Sequence, residues 1–188
     1  MVGAVAEMMM AAGLLLICMG LLAGCSVPEE GYGGAKGLLV FSEAFVQGQP
    51  VPVRFTCKGE DTSPEVRWEG APVGTRSVAV ILEDPDAPGG VFTHWLVYGI
   101  PANQTELAEG IPKEKEVAGG IRQGGNDFGK YGYGGPCPPP GPAHHYMLAV
   151  YALDTPVTLG PGAERQALES AMKGHVLAST HITAVFGR

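Results

Sequence analysis

The stretch Ser77-Val78-Ala79-Val80-Ile81-Leu82 decides the fold class of this chain, because it is a continuous apolar run of strand length. A short run that is rich in β-branched residues is typical of a buried strand rather than of a helix. Similar runs occupy residues 95–100 and 146–153. Shorter apolar runs predict further strands at residues 38–41, 51–55, 176–178 and 180–186.

The segments between these runs are rich in glycine and proline, which indicates turns. Long connections of this kind favour antiparallel strands in a sandwich over βαβ units. A helix is predicted over residues 164–173, because this segment begins acidic, ends basic and stops at Gly174. We therefore expect a mainly β protein, an antiparallel β-sandwich with one or two short helices.

Length and charge limit the kinds of partner. The chain has 188 residues and a formal net charge of −7. This length suits a single domain with its own core. The negative charge argues against nonspecific nucleic-acid binding, which requires a basic surface. We expect no nucleic-acid partner.

The N-terminal segment has the features of an export signal. Residues 8–23 are all apolar, which is shorter than the roughly 20 residues of a membrane-spanning helix. The run leads into Leu22-Ala23-Gly24-Cys25, which resembles the lipobox of bacterial lipoproteins, where the cysteine is acylated. We expect a signal peptide over residues 1–24, lipidation of Cys25 and a flexible linker over residues 25–37. The protein would then be exported and lipid-anchored to the membrane of the cell envelope.

One departure from this pattern keeps two alternatives open. Glu7 stands where a positive charge is usual, and no Lys or Arg precedes the apolar run. The segment could instead be a signal peptide without lipid or a short anchor helix.

Cys57 and Cys137 are the two cysteines that remain if the leader is removed and Cys25 carries lipid. Both lie in loop-like segments. Export would place them in an oxidising compartment, where disulfides persist. A disulfide between them and a pair of separate buried thiols are both compatible with the sequence.

Three polar clusters lie at the ends of apolar runs. They are Asp84-Pro85-Asp86-Ala87-Pro88, Thr93-His94-Trp95, and the Gly- and Pro-rich residues 134–142 that lead into His144-His145-Tyr146. Carboxylates, imidazoles and a phenol at strand ends suit a pocket for a small anion. The glycines of residues 134–142 could also expose backbone N–H groups to that anion.

The residues themselves leave alternatives at two of these clusters. In an extended segment Asp84 and Asp86 would share one face, but Asp-Pro steps also favour a turn in which Asp bonds its own backbone. His94 opens an apolar strand, where a lone histidine is more often a satisfied polar residue than a ligand-binding one.

The two adjacent histidines are separated by the alternation of a strand. His144 shares a face with Tyr146, whereas His145 points to the other face. We predict that His144 and Tyr146 are site residues and that His145 lies at the rim or surface.

The motifs in their chain order resemble those of the phosphatidylethanolamine-binding protein family, in its bacterial and archaeal Raf-kinase-inhibitor-like branch. The resemblance covers the chain from about residue 38 to residue 188. The matching elements are Ser63-Pro64 with Trp68, Asp84-Pro85-Asp86-Ala87-Pro88, His94-Trp95-Leu96-Val97, Gly125-Asn126-Asp127-Phe128-Gly129, Gly132 to Pro139, His144-His145-Tyr146, and Ala171 to Leu177.

This resemblance implies a Greek-key sandwich over residues 38–188 with a small anion pocket at one end. Asp86 would orient Asp84 or meet an amine headgroup, and residues 134–142 would form a wall of the pocket. The residues implied to bind the ligand are Asp84, Asp86, His94, Gly135, Pro136, His144 and Tyr146.

We therefore expect an exported binding protein, not an enzyme, that takes a small anion or a phospholipid headgroup through its phosphoryl or carboxylate group. The resemblance also implies inhibition of another enzyme, for which an exported protease is the favoured partner. A hydrolytic enzyme using the Asp/His/Tyr cluster and a structural envelope lipoprotein are the alternatives. No cofactor, metal or catalytic residue is expected, since the chain lacks a Cys-x-x-Cys pair, a His-x-x-x-His pair and a Gly-x-Ser-x-Gly motif.

Overall fold

A computed structural model of the protein describes residues 37–188. In this range the chain forms two antiparallel sheets and one α-helix. The strands are β1 (Leu39–Phe41), β2 (Val66–Glu69), β3 (Ser77–Asp84), β4 (Phe92–Pro101), β5 (Glu106–Leu107), β6 (Glu116–Val117), β7 (Ile121–Gln123), β8 (His144–Leu153) and β9 (Val176–Phe186), and the helix is α1 (Arg165–Met172). The expected mainly β, antiparallel Greek-key sandwich is confirmed.

Strand β3 lies near the middle of the larger sheet, whose order is β6-β7-β4-β3-β8-β9. Its apolar run is continuous because both of its faces are buried. Val78 and Val80 belong to a core that also contains Trp68 of the smaller sheet β1-β2-β5, whereas Ile81 packs on the other side with Leu168 of α1. Full burial of each such side chain contributes about 1.5–3 kcal/mol.

Helix α1 forms within one residue of its predicted bounds. Glu164 is its N-cap residue and Lys173 its C-cap residue, and the chain then reverses at Gly174, which has φ +81°. Leu168 and Met172 are one turn apart and form the buried face of the helix.

The prediction of a strand over residues 51–55 was wrong. Val53–Phe55 form a short 3₁₀ helix, and the neighbouring Pro50 makes an isolated bridge to Val185. Pro52 explains the difference, because proline has no N–H to donate to a ladder. In contrast, the two predicted pieces at the C-terminal end, 176–178 and 180–186, are one continuous strand, β9.

The ends of three strands meet at one edge of the larger sheet. Because β3 is antiparallel to both β4 and β8, the last residues of β3 lie beside the first residues of the other two strands. The register pairs Asp84 with Phe92 and Glu83 with Met147. On its other side, β8 pairs with β9, so that His144 lies opposite Phe186.

The predicted signal peptide over residues 1–24, the lipidation of Cys25 and nearly all of the 25–37 linker lie outside the described residues. Between residues 37 and 188, no helix is both long and apolar enough to span a membrane.

Candidate functional site

Asp84 and His144 form a buried pair at this edge of the sheet. The Nδ1 atom of His144 lies 2.7 Å from Oδ2 of Asp84, and both side chains are almost fully enclosed. An ionised carboxylate can only accept, so the imidazole donates through Nδ1. The backbone N–H of Asp86 donates to the second oxygen, Oδ1, at 2.9 Å. The carboxylate is therefore held by a partner on each oxygen.

His94 is fixed to the Gly-rich segment that follows β7. Its Nδ1 donates to the carbonyl oxygen of Gly134 at 2.7 Å, and the N–H of Gly134 donates to the carbonyl oxygen of His94 at 2.9 Å. Burial lowers the pKa of His94, although the Gly134 carbonyl and the charge of Asp84 oppose this effect. The imidazole of His94 is consequently held neutral at neutral pH.

Tyr146 lies beside His94. Its ring packs edge-on against the His94 ring, with centroids 5.2 Å apart, and its hydroxyl is buried without a hydrogen-bond partner among the described residues. Burial raises the pKa of Tyr146 well above its ordinary value, followed by the charge of Asp84 and the closeness of its carboxylate to the hydroxyl, which lies outside hydrogen-bond geometry. Tyr146 therefore remains a neutral phenol with an O–H to donate.

The structure thus brings together Asp84, His94, His144 and Tyr146, which we call the buried cluster. The alternation argument for β8 is also confirmed, because His144 and Tyr146 are buried whereas His145 is exposed. The ligand-binding role of these residues remains a prediction. No group of three or more His, Cys, Asp or Glu side chains is arranged to hold a metal ion within residues 37–188.

Asp86 does not share the position of Asp84. Strand β3 ends at Asp84, and Asp86 lies in the following turn, where its carboxylate pairs with Nδ1 of His145 at 2.6 Å. Of the two alternatives that the sequence left open for these carboxylates, the turn is the one observed, because the Asp86 N–H donates to the Asp84 carboxylate. Hydrogen bonds from His145 lower the pKa of Asp86. Asp86 and His145 thus form a second, exposed pair at the rim.

Gly134 and Gly135 contribute shape rather than free amides. The N–H of Gly134 bonds to His94, and the N–H of Gly135 donates to Oδ1 of Asp61 at 2.6 Å. The expectation that these two glycines would expose N–H groups to an anion was therefore wrong. Space explains why Gly135 is glycine, since a Cβ would lie 2.3 Å from the carbonyl oxygen of Phe55. Pro136 is buried, and its carbonyl oxygen accepts a hydrogen bond from the N–H of Cys57.

A disulfide joins Cys57 to Cys137, with a Cα–Cα distance of 5.4 Å. Of the two alternatives that the sequence left open, the disulfide is the one observed. It ties the segment after Phe55 to the glycine segment. Three hydrogen bonds run between the same two segments: Tyr133 to Phe55, Cys57 to Pro136, and Gly135 to Asp61.

Sequence reasoning missed the aromatic surroundings of His94. The rings of Phe92 and Phe128 lie 5.1 and 5.3 Å from the imidazole, and a Cβ on Gly134 would lie 2.6 Å from the Phe128 ring. Neighbouring Asp127 holds the start of β4 by exchanging hydrogen bonds with the backbone of Thr93. The only signal for Phe128 was its place in the motif Gly125 to Gly129.

Taken together, these features define a class of molecule, an antiparallel β-sandwich with a buried Asp–His pair, a second imidazole and an unpartnered phenol at one end of its larger sheet. Comparison with known families agrees, since residues 41–187 match the model of the phosphatidylethanolamine-binding protein family. The chain belongs to this family, as the sequence motifs predicted.

Individual relatives extend this finding. The chain is 50% identical over 157 residues to a UPF0098 protein of Aquifex aeolicus, a match that covers 82% of this chain and 91% of the relative. It is 39% identical over 145 residues to the Mycobacterium tuberculosis protein named "Putative lipoprotein LppC", with 74% and 69% covered. The crystal structure of E. coli YbcL, described as a new member of the mammalian PEBP family, superposes with a TM-score of 0.75 at 34% identity, covering 80% of this chain and 98% of YbcL.

Proposed function

We propose that this protein binds a small oxyanion, a phosphoryl or carboxylate headgroup, at the buried cluster. The observation that carries the proposal is the buried hydroxyl of Tyr146, which has no hydrogen-bond partner in residues 37–188. Leaving such a group unpaired costs about 1–3 kcal/mol. An oxygen of a bound ligand would accept this hydrogen bond and remove the cost. His94 and His144, whose rings belong to the same cluster, supply further polar contacts.

Asp84 has a positioning role in this proposal. Its carboxylate fixes the ring of His144 through Nδ1, which directs the other ring nitrogen, Nε2, away from Asp84. Asp86 and His145, at the exposed rim, are the groups available to an amine on the ligand.

We propose that the headgroup belongs to a molecule at the cell envelope. Three observations support this placement: the Leu22-Ala23-Gly24-Cys25 sequence, the lipoprotein name of the Mycobacterium tuberculosis relative, and the Cys57–Cys137 disulfide. The family name describes binding of phosphatidylethanolamine, so phosphoethanolamine is the first headgroup to test. Inhibition of an exported protease remains a prediction, for which no contact surface is described.

Thermal unfolding of the full chain in the presence of phosphate, phosphoethanolamine or acetate tests the proposal. A ligand that binds the folded chain stabilises it by mass action and so raises the melting temperature. At a ligand concentration one hundred times Kd, the free energy of unfolding rises by about 2.7 kcal/mol. Vesicles with and without phosphatidylethanolamine then distinguish a lipid headgroup from a free anion. If none of the three anions shifts the melting temperature, the proposal is wrong.

Tyr146→Phe provides a matched variant, because it removes only the unpartnered hydroxyl. We expect the ligand-free variant to be as stable as the parent or more stable, since a buried unpaired group is lost. Anion binding should weaken about tenfold, the equivalent of about 1.4 kcal/mol. A variant that loses stability and binds the anion normally would contradict the assignment of this hydroxyl to the ligand.

A further inference from the structure

Strand β9 forms one edge of the larger sheet, and part of that edge is uncovered. On its inner side β9 pairs with β8 along its whole length. On its outer side, three backbone hydrogen bonds join residues 48–51 to Thr183 and Val185, near the end of the strand. Within residues 37–188, no backbone hydrogen bond covers the outer side of residues 178–182 in the same way.

The alternation of β9 identifies the backbone groups that are free. In an antiparallel pair, every second residue turns its N–H and C=O groups away from the partner strand. Thr183 and Val185 do so, and the register with β8 is regular back to Ala178, so Ser179 and His181 do so as well. Both residues are exposed. Each therefore presents an unpaired N–H and an unpaired C=O at the edge.

This edge lacks the features that usually prevent strands from pairing. Natural edge strands are protected by being short or by carrying charged side chains or proline. The opposite edge of the sheet, β6, follows this rule, because it has two residues and one of them is Glu116. In contrast, β9 has 11 residues and contains no Asp, Glu, Lys, Arg or Pro. The uncovered stretch is therefore open to a further strand.

We infer that this strand is β9 of a second copy of the chain, so that two copies form a dimer with one continuous sheet. A two-fold axis brings the same surface of both copies together, and antiparallel pairing of a strand with itself has this symmetry. Charge favours this occupant. The chain has a net charge of −7, so two copies repel each other, and the repulsion is smallest where an uncharged strand forms the contact.

The free backbone groups determine the register of the pairing. If Ser179 of each copy pairs with His181 of the other, all the unpaired groups of both strands are used. This register places Thr180 opposite Thr180 of the second copy, beside the two-fold axis. It also places Ala178 opposite Ile182. Cross-strand pairs of threonines and of apolar side chains are both favourable.

Exposed apolar side chains extend the contact beyond the strand. A stable interface buries about 800 Å² on each partner, which is more than a short strand edge supplies. Val176 and Leu177 are exposed at one end of the uncovered stretch, and Val46 is exposed beside the segment that covers Thr183 at the other end. The register places position 177 of one copy opposite position 183 of the other. Leu177 of each copy therefore approaches Val46 of the second copy.

Sedimentation of the full chain in a mild detergent, which keeps the apolar residues 8–23 dispersed, tests the inference. We expect the wild type to be a dimer at about 0.1 mM. Ser179→Pro removes the outward N–H without breaking a bond to β8, so it should give a monomer. Ser179→Ala keeps the N–H and should remain a dimer. A monomeric wild type would overturn the inference and leave the edge to a strand of another protein. A dimer that persists in Ser179→Pro would also overturn it.

Charge variants at the same position do not depend on how the strand tolerates proline. Ser179→Lys and Ser179→Asp each place like charges beside the two-fold axis, so the dissociation constant should rise about fivefold in each. An equimolar mixture of the two variants pairs opposite charges and should associate more tightly than either variant alone. Ser170→Lys, on the exposed side of α1, should leave the dissociation constant unchanged. A mixture that associates no better than its components would contradict the contact.

A cross-link tests the register. In the proposed pairing the Cα atoms of the two Thr180 residues lie about 4.5 Å apart, within the range of about 4.4–6.8 Å that a disulfide spans. Thr180→Cys treated with oxidised glutathione should therefore run at twice the mass of one chain on a non-reducing gel. Ser170→Cys measures the background from the natural cysteines. Equal cross-linking in the two variants would refute the register.

Discussion

Replacing His144 with alanine should weaken phosphate binding strongly. The side chain of His144 is 11% exposed and pairs with Asp84, whose side chain is 4% exposed, so both groups are shielded from water. Hydrogen bonds to charged groups in such surroundings are worth about 1.5–3 kcal/mol, which corresponds to about a 10- to 150-fold increase in Kd. Isothermal titration with phosphate at neutral pH measures the change, and circular dichroism confirms that the variant is folded.

His145→Ala is the matched control, because the adjacent histidine also pairs with an aspartate. The distance to Asp86 is similar, 2.6 Å, but the His145 side chain is 57% exposed. Exposed ion pairs contribute about 0–1 kcal/mol, and His145 points away from the cluster. We expect Kd to change by no more than about twofold. Equal losses in the two alanine variants would refute the argument that burial and strand alternation separate these histidines.

His144→Asn separates two ways in which His144 can act. The amide nitrogen of asparagine can replace Nδ1 as the donor to Asp84, but nothing replaces Nε2. If Nε2 contacts the ligand, the asparagine variant should bind as weakly as the alanine variant. Recovery of near-normal affinity would show instead that His144 only positions Asp84.

Three further predictions concern stability. Replacing Cys57 and Cys137 with serine should lower the free energy of unfolding by about 4 kcal/mol in denaturant titrations, since the bond closes a loop with a sequence separation of 80 residues; an unchanged transition midpoint would contradict this. Gly135→Ala should cost more than about 2 kcal/mol because its Cβ would meet backbone atoms, whereas Gly160→Ala, with no atom within 4 Å, should cost less than about 1 kcal/mol. Burial lowers the pKa of His94 in the folded chain. Below about pH 6.5 the unfolded chain therefore binds a proton at His94 that the folded chain does not bind, and the free energy of unfolding should fall as the pH drops below that value. His94→Asn should remove part of this fall in urea titrations across the pH range, and an identical pH profile would contradict it.

The central strand of the sheet could be predicted from sequence, because a strand that is buried on both faces has a continuous run of apolar residues. Strand β3 is buried at every position, and its apolar run has no polar interruption before Glu83. The alternation in β8 was equally readable, because residues 144, 145 and 146 are buried, exposed and buried in turn. Both patterns follow from the alternation of side chains along a strand, so the order of apolar and polar residues in one sequence is enough to predict them.

The features of the site that the sequence did not predict depend on contacts between residues that are distant in the chain. Asp86 has the same residue type as Asp84, but its position depends on where β3 ends, and that is set by pairing with β4 and β8. The amides of Gly134 and Gly135 are occupied by His94 and Asp61, which are distant in sequence. Short strands such as β5 and β6, of two residues each, carry too few residues to show any periodicity.

The pairing of β8 with β9 has a consequence for the order of biosynthesis. Asp84 and His94 leave the ribosome early, but His144 and Tyr146 lie on a strand whose outer neighbours, Phe186 and Ala184, are translated much later. A nascent chain that has not yet produced β9 would hold β8 with one edge unpaired. The proposed headgroup binding would therefore require β9, and we expect a chain that stops before residue 176 not to bind the ligand.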